Sequence, residues 1–120
     1  MNKKTVVLGA SPNPSRYSYL AVNRLAAHGN DVVAIGRREN SINQIPIIKG
    51  QPPEENVDTV TLYLNAANQK QYYDYIISLH PKRIIFNPGA ENDELAELAV
   101  KNNIEPIEAC TLVLLSTGQY

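Results

Sequence analysis

The chain has 120 residues, of which 43% are hydrophobic and 19% charged, and its net charge is −1. This length is enough for one globular domain with a buried core, and the near-neutral charge argues against general electrostatic binding to nucleic acid or anionic membranes. Cys110 is the only cysteine, so no intramolecular disulfide can form. The apolar run near the N-terminus stops at Leu8, too short for a signal peptide or a membrane span, and we therefore expect a cytoplasmic protein.

A strand, a helix and a second strand are predicted at the start of the chain. Thr5–Leu8 is apolar and β-branched, which is typical of a central parallel strand. Tyr17–His28 carries apolar residues at helical spacing, and Gly29 fits the left-handed position that ends a helix. Asp31–Ile35 is predicted to be the second strand. This order of elements is that of a βαβ unit.

The segment that follows has the composition of a loop. Gly36–Asn56 is rich in glycine, proline, asparagine and glutamine. Within it, Ile45–Ile48 is the one apolar run, and Pro46 disfavours a central strand because it lacks an N–H group. We therefore expect Ile45–Ile48 to be a short edge or docking piece.

The second half of the chain repeats the alternation. Thr59–Leu64 is the third predicted strand, followed by a single helix that begins at Asn65 or Asn68 and ends at Leu79, before His80 and Pro81. Arg83–Phe86 is the fourth strand.

The last elements are a helix, an edge strand and a short helical segment. Asp93–Asn102 has two acids in its first turn, where the helix dipole favours them. Ile104–Ala109 is the fifth strand, and Pro106 places it at an edge of the sheet. Thr111–Ser116 is predicted to form one or two helical turns.

Together these elements predict one Rossmann-like α/β domain over residues 1–120. It has three layers and a five-stranded, mostly parallel sheet of order 3-2-1-4-5. The order reverses between strands one and four, and ligands of such sheets bind there, beyond the carboxyl ends of the strands. Four polar segments are expected to meet at this point: Gly9–Arg16, Gly36–Arg38, Asn65–Asn68 and Asn87–Asn92.

The loop after the first strand differs from the usual dinucleotide fingerprint. That fingerprint is Gly-x-Gly-x-x-Gly, and here only its first glycine is present, at Gly9. Proline cannot donate to phosphate, so Pro12 and Pro14 contribute nothing. The remaining donors are the N–H groups and polar side chains of this loop: the N–H groups of Ala10, Ser11 and Asn13, the Ser11 hydroxyl, the Asn13 amide and the Arg16 guanidinium. The small residues favour phosphate binding over a plain strand-to-helix turn.

Two arginines and the cysteine are further candidates for functional groups. Arg37 and Arg38 follow the second strand, where an arginine suits a ribose phosphate, either the 2′-phosphate of NADP or the 3′-phosphate of coenzyme A. The alternative is a pair of solvated charges. Cys110 is either a small core residue or a reactive thiol, and the former is favoured. The sequence has no metal-ligand spacing and no nucleophile–base pair, so we predict neither a metal site nor catalytic residues.

One stretch of the sequence is similar to a known family. The run from Leu8 to Tyr19 resembles the signature of small bacterial CoA-binding domain proteins, stand-alone Rossmann-like domains similar to the CoA-binding domain of succinyl-CoA synthetase alpha subunits and of acyl-CoA synthetases. Asn87–Asn92 is similar to the Gly-x-x-Asn-Glu segment of that family, and Cys110 matches its terminal cysteine. The family usually has Asn-Pro after strand two and an acid after the cysteine; this chain has Arg37-Arg38 and Thr111–Leu114 instead.

The resemblance implies phosphate contacts from the first loop and adenosine contacts from the loop after strand two. The ends of strands three and four would line the rest of the site. The candidate cofactor-binding residues are Gly9, Ala10, Ser11, Asn13, Arg16, Gly36, Arg37, Arg38, Asn65, Asn87, Pro88 and Gly89.

Three functions follow as hypotheses. The first is non-catalytic binding of CoA or an acyl-CoA. The second is an NADP-binding domain or subunit of an oxidoreductase, although neither a nicotinamide pocket nor a substrate domain is visible at this length. The third is a module that has lost its ligand and binds a protein partner. A homodimer is compatible with each of them.

Overall fold

The computed structural model describes residues 2–120 and contains a seven-stranded sheet between two layers of helices. The strands are β1 (Thr5–Leu8), β2 (Val32–Gly36), β3 (Asn40–Ile42), β4 (Ile45–Lys49), β5 (Thr59–Leu62), β6 (Arg83–Phe86) and β7 (Glu105–Glu108). The helices are α1 (Tyr17–Ala27), α2 (Ala66–Gln69), α3 (Tyr73–Ser78), α4 (Asp93–Lys101) and α5 (Thr111–Ser116), with a 3-10 turn over Lys70–Tyr72. The α/β class and the mostly parallel sheet are confirmed.

The prediction of five strands is wrong, because the loop after β2 contains two more. The sheet order is β3-β4-β2-β1-β5-β6-β7, and the only antiparallel pair among the described strands is β3 with β4. These two strands form a hairpin inside the segment from 36 to 56. Their register, Asn40↔Ile47 to Ile42↔Ile45, leaves a two-residue turn at Asn43-Gln44.

The predicted order 3-2-1-4-5 places the wrong strand next to β2. Strand β4 pairs with β2 in register Ala34↔Ile47, whereas β5, the predicted third strand, pairs with β1 on its other side. The hairpin already occupies the place beside β2, so the chain must cross back over β1 before it can add another parallel strand. The strand order therefore reverses between β1 and β5.

The two prolines within strands have different positions. Pro46 is not in an edge strand, since β4 has a neighbour on each side; it precedes Ile47, where the pairing with β2 begins, and lies opposite Ser41 of β3. Pro106 lies in β7, which pairs only with β6 in the described part of the chain. The prediction of an edge strand is thus confirmed for Pro106 and wrong for Pro46.

The single helix predicted after β5 is broken into three pieces. Gln69 at the end of α2 is buried below the loops, whereas Tyr75 and Ile76 of α3 are buried in the core. The 3-10 turn between them has fewer residues per turn, which changes the direction in which the next side chains point. The chain leaves α3 at His80, which has φ +48.

Both faces of the sheet are covered. On one face α3 and α4 pack with Leu8, Val60, Ile84 and Phe86, while α1 and α5 pack on the other face with Val7, Ala34 and Ile47. Every residue of β1 and β5 is buried, as expected for strands in the centre of a parallel sheet. Covered faces leave the sheet edge at the carboxyl ends of the strands as the place for a ligand.

Candidate functional site

The candidate site is the edge formed by the carboxyl ends of the central strands. The parallel registers pair Leu8 with Ile35 and with Leu62, and Leu62 with Phe86. The loops after β1, β2, β5 and β6 therefore emerge side by side, as predicted. The reversal between β1 and β5 places the first loop at the centre of this edge.

The start of the first loop is held against both neighbouring strands. The N–H groups of Gly9 and Ala10 donate to the Ile35 carbonyl oxygen at 3.0 and 2.9 Å. Gly9 has φ +93, and a Cβ at this position would lie 2.8 Å from the Tyr63 carbonyl oxygen. Glycine is required here by the backbone angle and by the close approach of the chain after β5.

Fewer backbone donors are free in this loop than the sequence suggests. The Ala10 N–H is bound to Ile35, and the Asn13 N–H donates to Ser11 Oγ at 3.1 Å. The Asn13 amide oxygen accepts from the N–H and the hydroxyl of Ser15 at 3.0 and 2.8 Å. Ser11 keeps an N–H group without an acceptor within residues 2–120, and its hydroxyl hydrogen is free to donate.

The beginning of α1 supplies further donors. Arg16 precedes the helix and provides no side-chain cap, and the N–H groups of Tyr17 and Ser18 have no acceptor in the described chain. Unpaired N–H groups and the positive end of the helix dipole both favour an anion at this position.

Four cationic side chains lie along the same edge and are exposed. Arg16 precedes α1, Arg37 and Arg38 follow β2, and Lys49 ends β4. The ion pairs of the described residues involve other groups: Lys4 with Glu54, Lys70 with Glu94 and Lys82 with Asp58. Even with the neighbouring Glu39 counted, the half of the edge around β1, β2 and β4 is positively charged in a chain of net charge −1.

Lys49 is a site residue that the sequence pattern does not reveal. The pattern indicates a short edge or docking piece over Ile45–Ile48, so it does not predict the parallel pairing Gly36↔Lys49. Ile47 packs on the α1 face of the sheet, and Lys49, two residues further along the strand, lies on that same face. Recognition of the β3–β4 hairpin from its Asn43-Gln44 turn would have identified it.

Gly36 allows the first loop to approach β2 and has little surface to offer a ligand. It is buried, and a Cβ there would lie 2.5 Å from the Ala10 carbonyl oxygen and 2.8 Å from Ile47 Cγ2. The space beside Gly36 is thus filled by the protein itself. Its contribution to the site is to bring Arg37 next to the first loop.

The loops after β5 and β6 form the other half of the edge. Asn65 is exposed and caps α2 by accepting from the Asn68 N–H at 3.0 Å, and Pro88 and Gly89 are exposed at the tip of the second loop. Asn87 is buried: its amide nitrogen donates to Thr61 and to Leu62, and its oxygen accepts from the N–H of Thr111. Asn87 thus joins β5, β6 and α5 below the site.

Two titratable groups lie near the start of α5. Cys110 is half-buried and has a free thiol. The hydroxyl group of Tyr63 is buried without a hydrogen-bond partner in the described residues, and this burial raises the pKa of Tyr63 far above its usual value. A raised tyrosine pKa keeps the hydroxyl protonated and neutral.

The part of the chain that the structure describes contains no group of three or more His, Cys, Asp or Glu side chains placed to bind a metal ion. The groups available around β1, β2 and β4 are hydrogen-bond donors and cations, which bind anions.

None of the helices within residues 2–120 is both long and apolar enough to cross a lipid bilayer.

The chain is similar to one protein-family model and to several solved structures. A family model described as CoA binding domain matches residues 3–116. A crystal structure of an uncharacterized protein is 51% identical with a TM-score of 0.97, and the alignment covers 100% of this chain and 99% of that chain. No curated protein matches the chain.

More distant structures share the fold. A hypothetical protein from Pyrococcus horikoshii OT3 is 20% identical with a TM-score of 0.85, covering 96% of this chain and 82% of that one. An acetyl-coenzyme A synthetase from Ca. Korarchaeum cryptofilum, solved with phosphate and ADP, is 17% identical with a TM-score of 0.72. The alignment covers 89% of this chain and 26% of that one. At these identities the similarity concerns the fold alone.

Proposed function

The chain belongs to the CoA-binding domain family, and on that premise we propose that it binds coenzyme A or an acyl-CoA at the carboxyl edge of its sheet, without catalysing a reaction. The observation that carries the proposal is the set of unpaired anion-binding groups at this edge. They are the Ser11 N–H and hydroxyl, the first N–H groups of α1, and the side chains of Arg16, Arg37, Arg38 and Lys49.

The distribution of these groups suits the phosphates of coenzyme A. The ligand carries a diphosphate and a separate phosphate on its ribose. Ser11 and the start of α1 are placed for the diphosphate, because N–H groups at a helix start bind phosphate well. Arg37, Arg38 and Lys49 lie on the β2 and β4 side, where a ribose phosphate would be held by charge-assisted hydrogen bonds.

An alternative function is binding of NADP as part of an oxidoreductase. Arg37 occupies the position after β2 where an arginine accommodates the 2′-phosphate of that cofactor. The two ligands differ in the position of the ribose phosphate and in the group beyond the diphosphate. Measured affinities for coenzyme A and NADP therefore distinguish the two functions.

The test is calorimetric titration of the purified protein with CoA, dephospho-CoA, NADP and NAD. We expect CoA to bind more tightly than dephospho-CoA and more tightly than either dinucleotide. Binding of NADP alone would assign the protein to the redox class, and no heat from any of the four would favour a module that binds a protein partner.

A variant locates the site on the chain. Ser11→Arg places a long side chain where the diphosphate is proposed to lie, and Ser11 is only partly buried, so the fold should persist. We expect CoA binding to be lost while the thermal transition of the free protein is retained. Wild-type affinity in a folded variant would exclude this loop.

A further inference from the structure

The loops after β5 and β6 are joined by one buried side chain. Gln69 has no exposed surface, and its amide nitrogen donates to the carbonyl oxygens of Leu64 and Ala90, each at 2.8 Å. Leu64 lies immediately before the loop tip at Asn65, and Ala90 follows the loop tip at Gly89. A single amide group thus binds the backbone of both loops on this half of the edge.

A second side chain completes the connection. Asn92 donates from its amide nitrogen to Gln69 Oε1 at 2.9 Å and to the Tyr73 hydroxyl oxygen at 2.8 Å. Its own oxygen accepts from the Leu95 N–H and so caps α4. The Tyr73 hydroxyl in turn donates to Glu94 Oε1 at 2.9 Å. Every hydrogen-bonding atom of the Gln69 amide group therefore has a partner, as a buried polar group requires.

This half of the edge differs in charge from the half around β1, β2 and β4. The exposed tips carry Asn65, Ala66, Pro88 and Gly89, none of which is charged. The charged residue of these loops is Glu91, an exposed carboxylate that accepts a hydrogen bond from the Gly89 N–H at 2.9 Å and disfavours a phosphate beside it. A ligand that lies across the whole edge would thus place its phosphates on one half and an uncharged part on the other.

We propose that Gln69 is the positioning residue that fixes the half of the site formed by the loops after β5 and β6, so that this half receives the neutral arm of the ligand beyond the diphosphate. This inference depends on the proposed binding of coenzyme A. Gln69 does not itself contact the ligand; it acts through the two loops, whose backbones it holds in a fixed relative position. A site fixed before binding loses less conformational entropy when the ligand enters.

Replacement by an apolar side chain of similar size removes the connection. Gln69→Met leaves the carbonyl oxygens of Leu64 and Ala90 without their donor, so the two loops are released from each other. Gln71→Met is the matched control, because Gln71 is exposed and its amide makes only a long bond of 3.4 Å to the Asn68 carbonyl oxygen. Asn92→Asp provides a second, milder variant that keeps the α4 cap acceptor but loses the donor to Gln69.

The readout compares coenzyme A with adenosine 3′,5′-bisphosphate, which has no neutral arm. For Gln69→Met we expect the CoA affinity to fall roughly tenfold or more, while the bisphosphate affinity stays within about twofold of wild type. Gln71→Met should bind both ligands as wild type does. Amide hydrogen exchange of the free protein should accelerate at residues 65–68 and 89–91 in Gln69→Met and, to a lesser degree, in Asn92→Asp.

The outcomes separate this proposal from the one on which it rests. Failure of the wild-type protein to bind CoA would overturn the proposed function and this inference with it. If wild type binds CoA but the variants weaken both ligands equally, or leave loop exchange unchanged, Gln69 is a structural residue only. Should Gln69→Met fail to fold, the same two measurements on Asn92→Asp decide the question.

Discussion

At the scale of single residues, the first loop is shaped by contacts that leave no room for a side chain. The Ala10 carbonyl oxygen lies only 2.5 Å from the point that a Cβ of residue 36 would occupy. The obstacle is backbone, which cannot move aside as a flexible side chain does. The identity of Gly36 therefore controls how closely the loop and β2 approach each other.

Gly36→Ala tests this close approach. The added methyl group would push the Ala10 carbonyl away from β2, and we expect a loss of about 1–3 kcal/mol in the free energy of unfolding together with weaker CoA binding. Gly29→Ala is the control: no atom lies within 4 Å of the point that its Cβ would occupy, and its φ of +83 adds only backbone strain far from the edge. Denaturant unfolding and calorimetry measure both effects. Wild-type affinity in Gly36→Ala would show that the loop position does not matter for binding.

The side chains of Arg37 and Lys49, which form no ion pair among the described residues, give a second prediction at this scale. Arg37→Ala and Lys49→Gln should each weaken CoA binding by about tenfold, as expected for a lost hydrogen bond to a charged group, and weaken dephospho-CoA binding less. Arg24→Ala is the matched control, since Arg24 is an exposed arginine in the last turn of α1, at the other end of the helix. Equal weakening of the two ligands would remove that residue from contact with the ribose phosphate.

The sequence predicts which loops form the candidate site, but it predicts less well what the individual residues of these loops do. Gly9 and Ser11 are where the motif predicts, because spacing after a buried strand determines their place. The hydrogen bond from the Ala10 N–H to Ile35, and the burial of Asn87 against Thr61 and Thr111, depend on residues far away in the sequence. Such contacts carry no local sequence signal.

At the scale of elements, the β3–β4 hairpin is the feature that sequence reasoning missed. Its two-residue turn has φ +45 at Asn43 and φ +72 at Gln44, the positive pair that a tight hairpin needs. The favoured sequence for this turn is Asn-Gly, and glutamine at the second position hides the signal. The hairpin is nevertheless stable because Ile42 and Ile47 are buried against α1.

Gln44→Gly should therefore stabilise the protein. Glycine adopts a positive φ without strain, and we expect a gain of about 0.5–1 kcal/mol in the free energy of unfolding. Ser41→Gly, an exposed residue of β3 that is not among those with positive φ, should instead lose a similar amount because glycine weakens a strand. Thermal or denaturant unfolding measures both. A destabilised Gln44→Gly variant would contradict the strain assigned to this turn.

At the scale of the whole molecule, the order of the strands depends on which strand occupies the place beside β2. Because β4 pairs with β2, β5 pairs with the other side of β1. The predicted order 3-2-1-4-5 is wrong, because the described sheet has the order β3-β4-β2-β1-β5-β6-β7 and the neighbour of β2 is β4 rather than β5. Hydrophobic runs such as Thr59–Leu62 identify strands, but pairing is decided by long-range competition for the place beside β2. The class of fold was thus predictable, whereas the identity of each neighbour was not.

The last prediction concerns the stability of the whole domain at alkaline pH. Burial is the main cause that raises the pKa of four tyrosines above the ordinary value of 10.0: Tyr63, Tyr73, Tyr75 and Tyr120. For Tyr75 the pKa reaches about 12. Below pH 10 these groups are protonated in both states, and their contribution to stability is complete. Above it the unfolded chain releases protons first, so the free energy of unfolding falls as the pH rises toward 12.

Denaturant unfolding at a series of pH values measures this slope. Tyr75→Phe removes one of the four groups and also the hydrogen bond of 2.7 Å from Tyr75 to the Pro52 carbonyl oxygen. The variant is therefore expected to be less stable near neutral pH, yet to lose stability less steeply above pH 10. All other side chains are common to both proteins, so their contributions cancel in the comparison. If the two proteins have the same slope, burial does not raise the pKa of Tyr75. The loss of unfolding free energy at alkaline pH then comes from other groups.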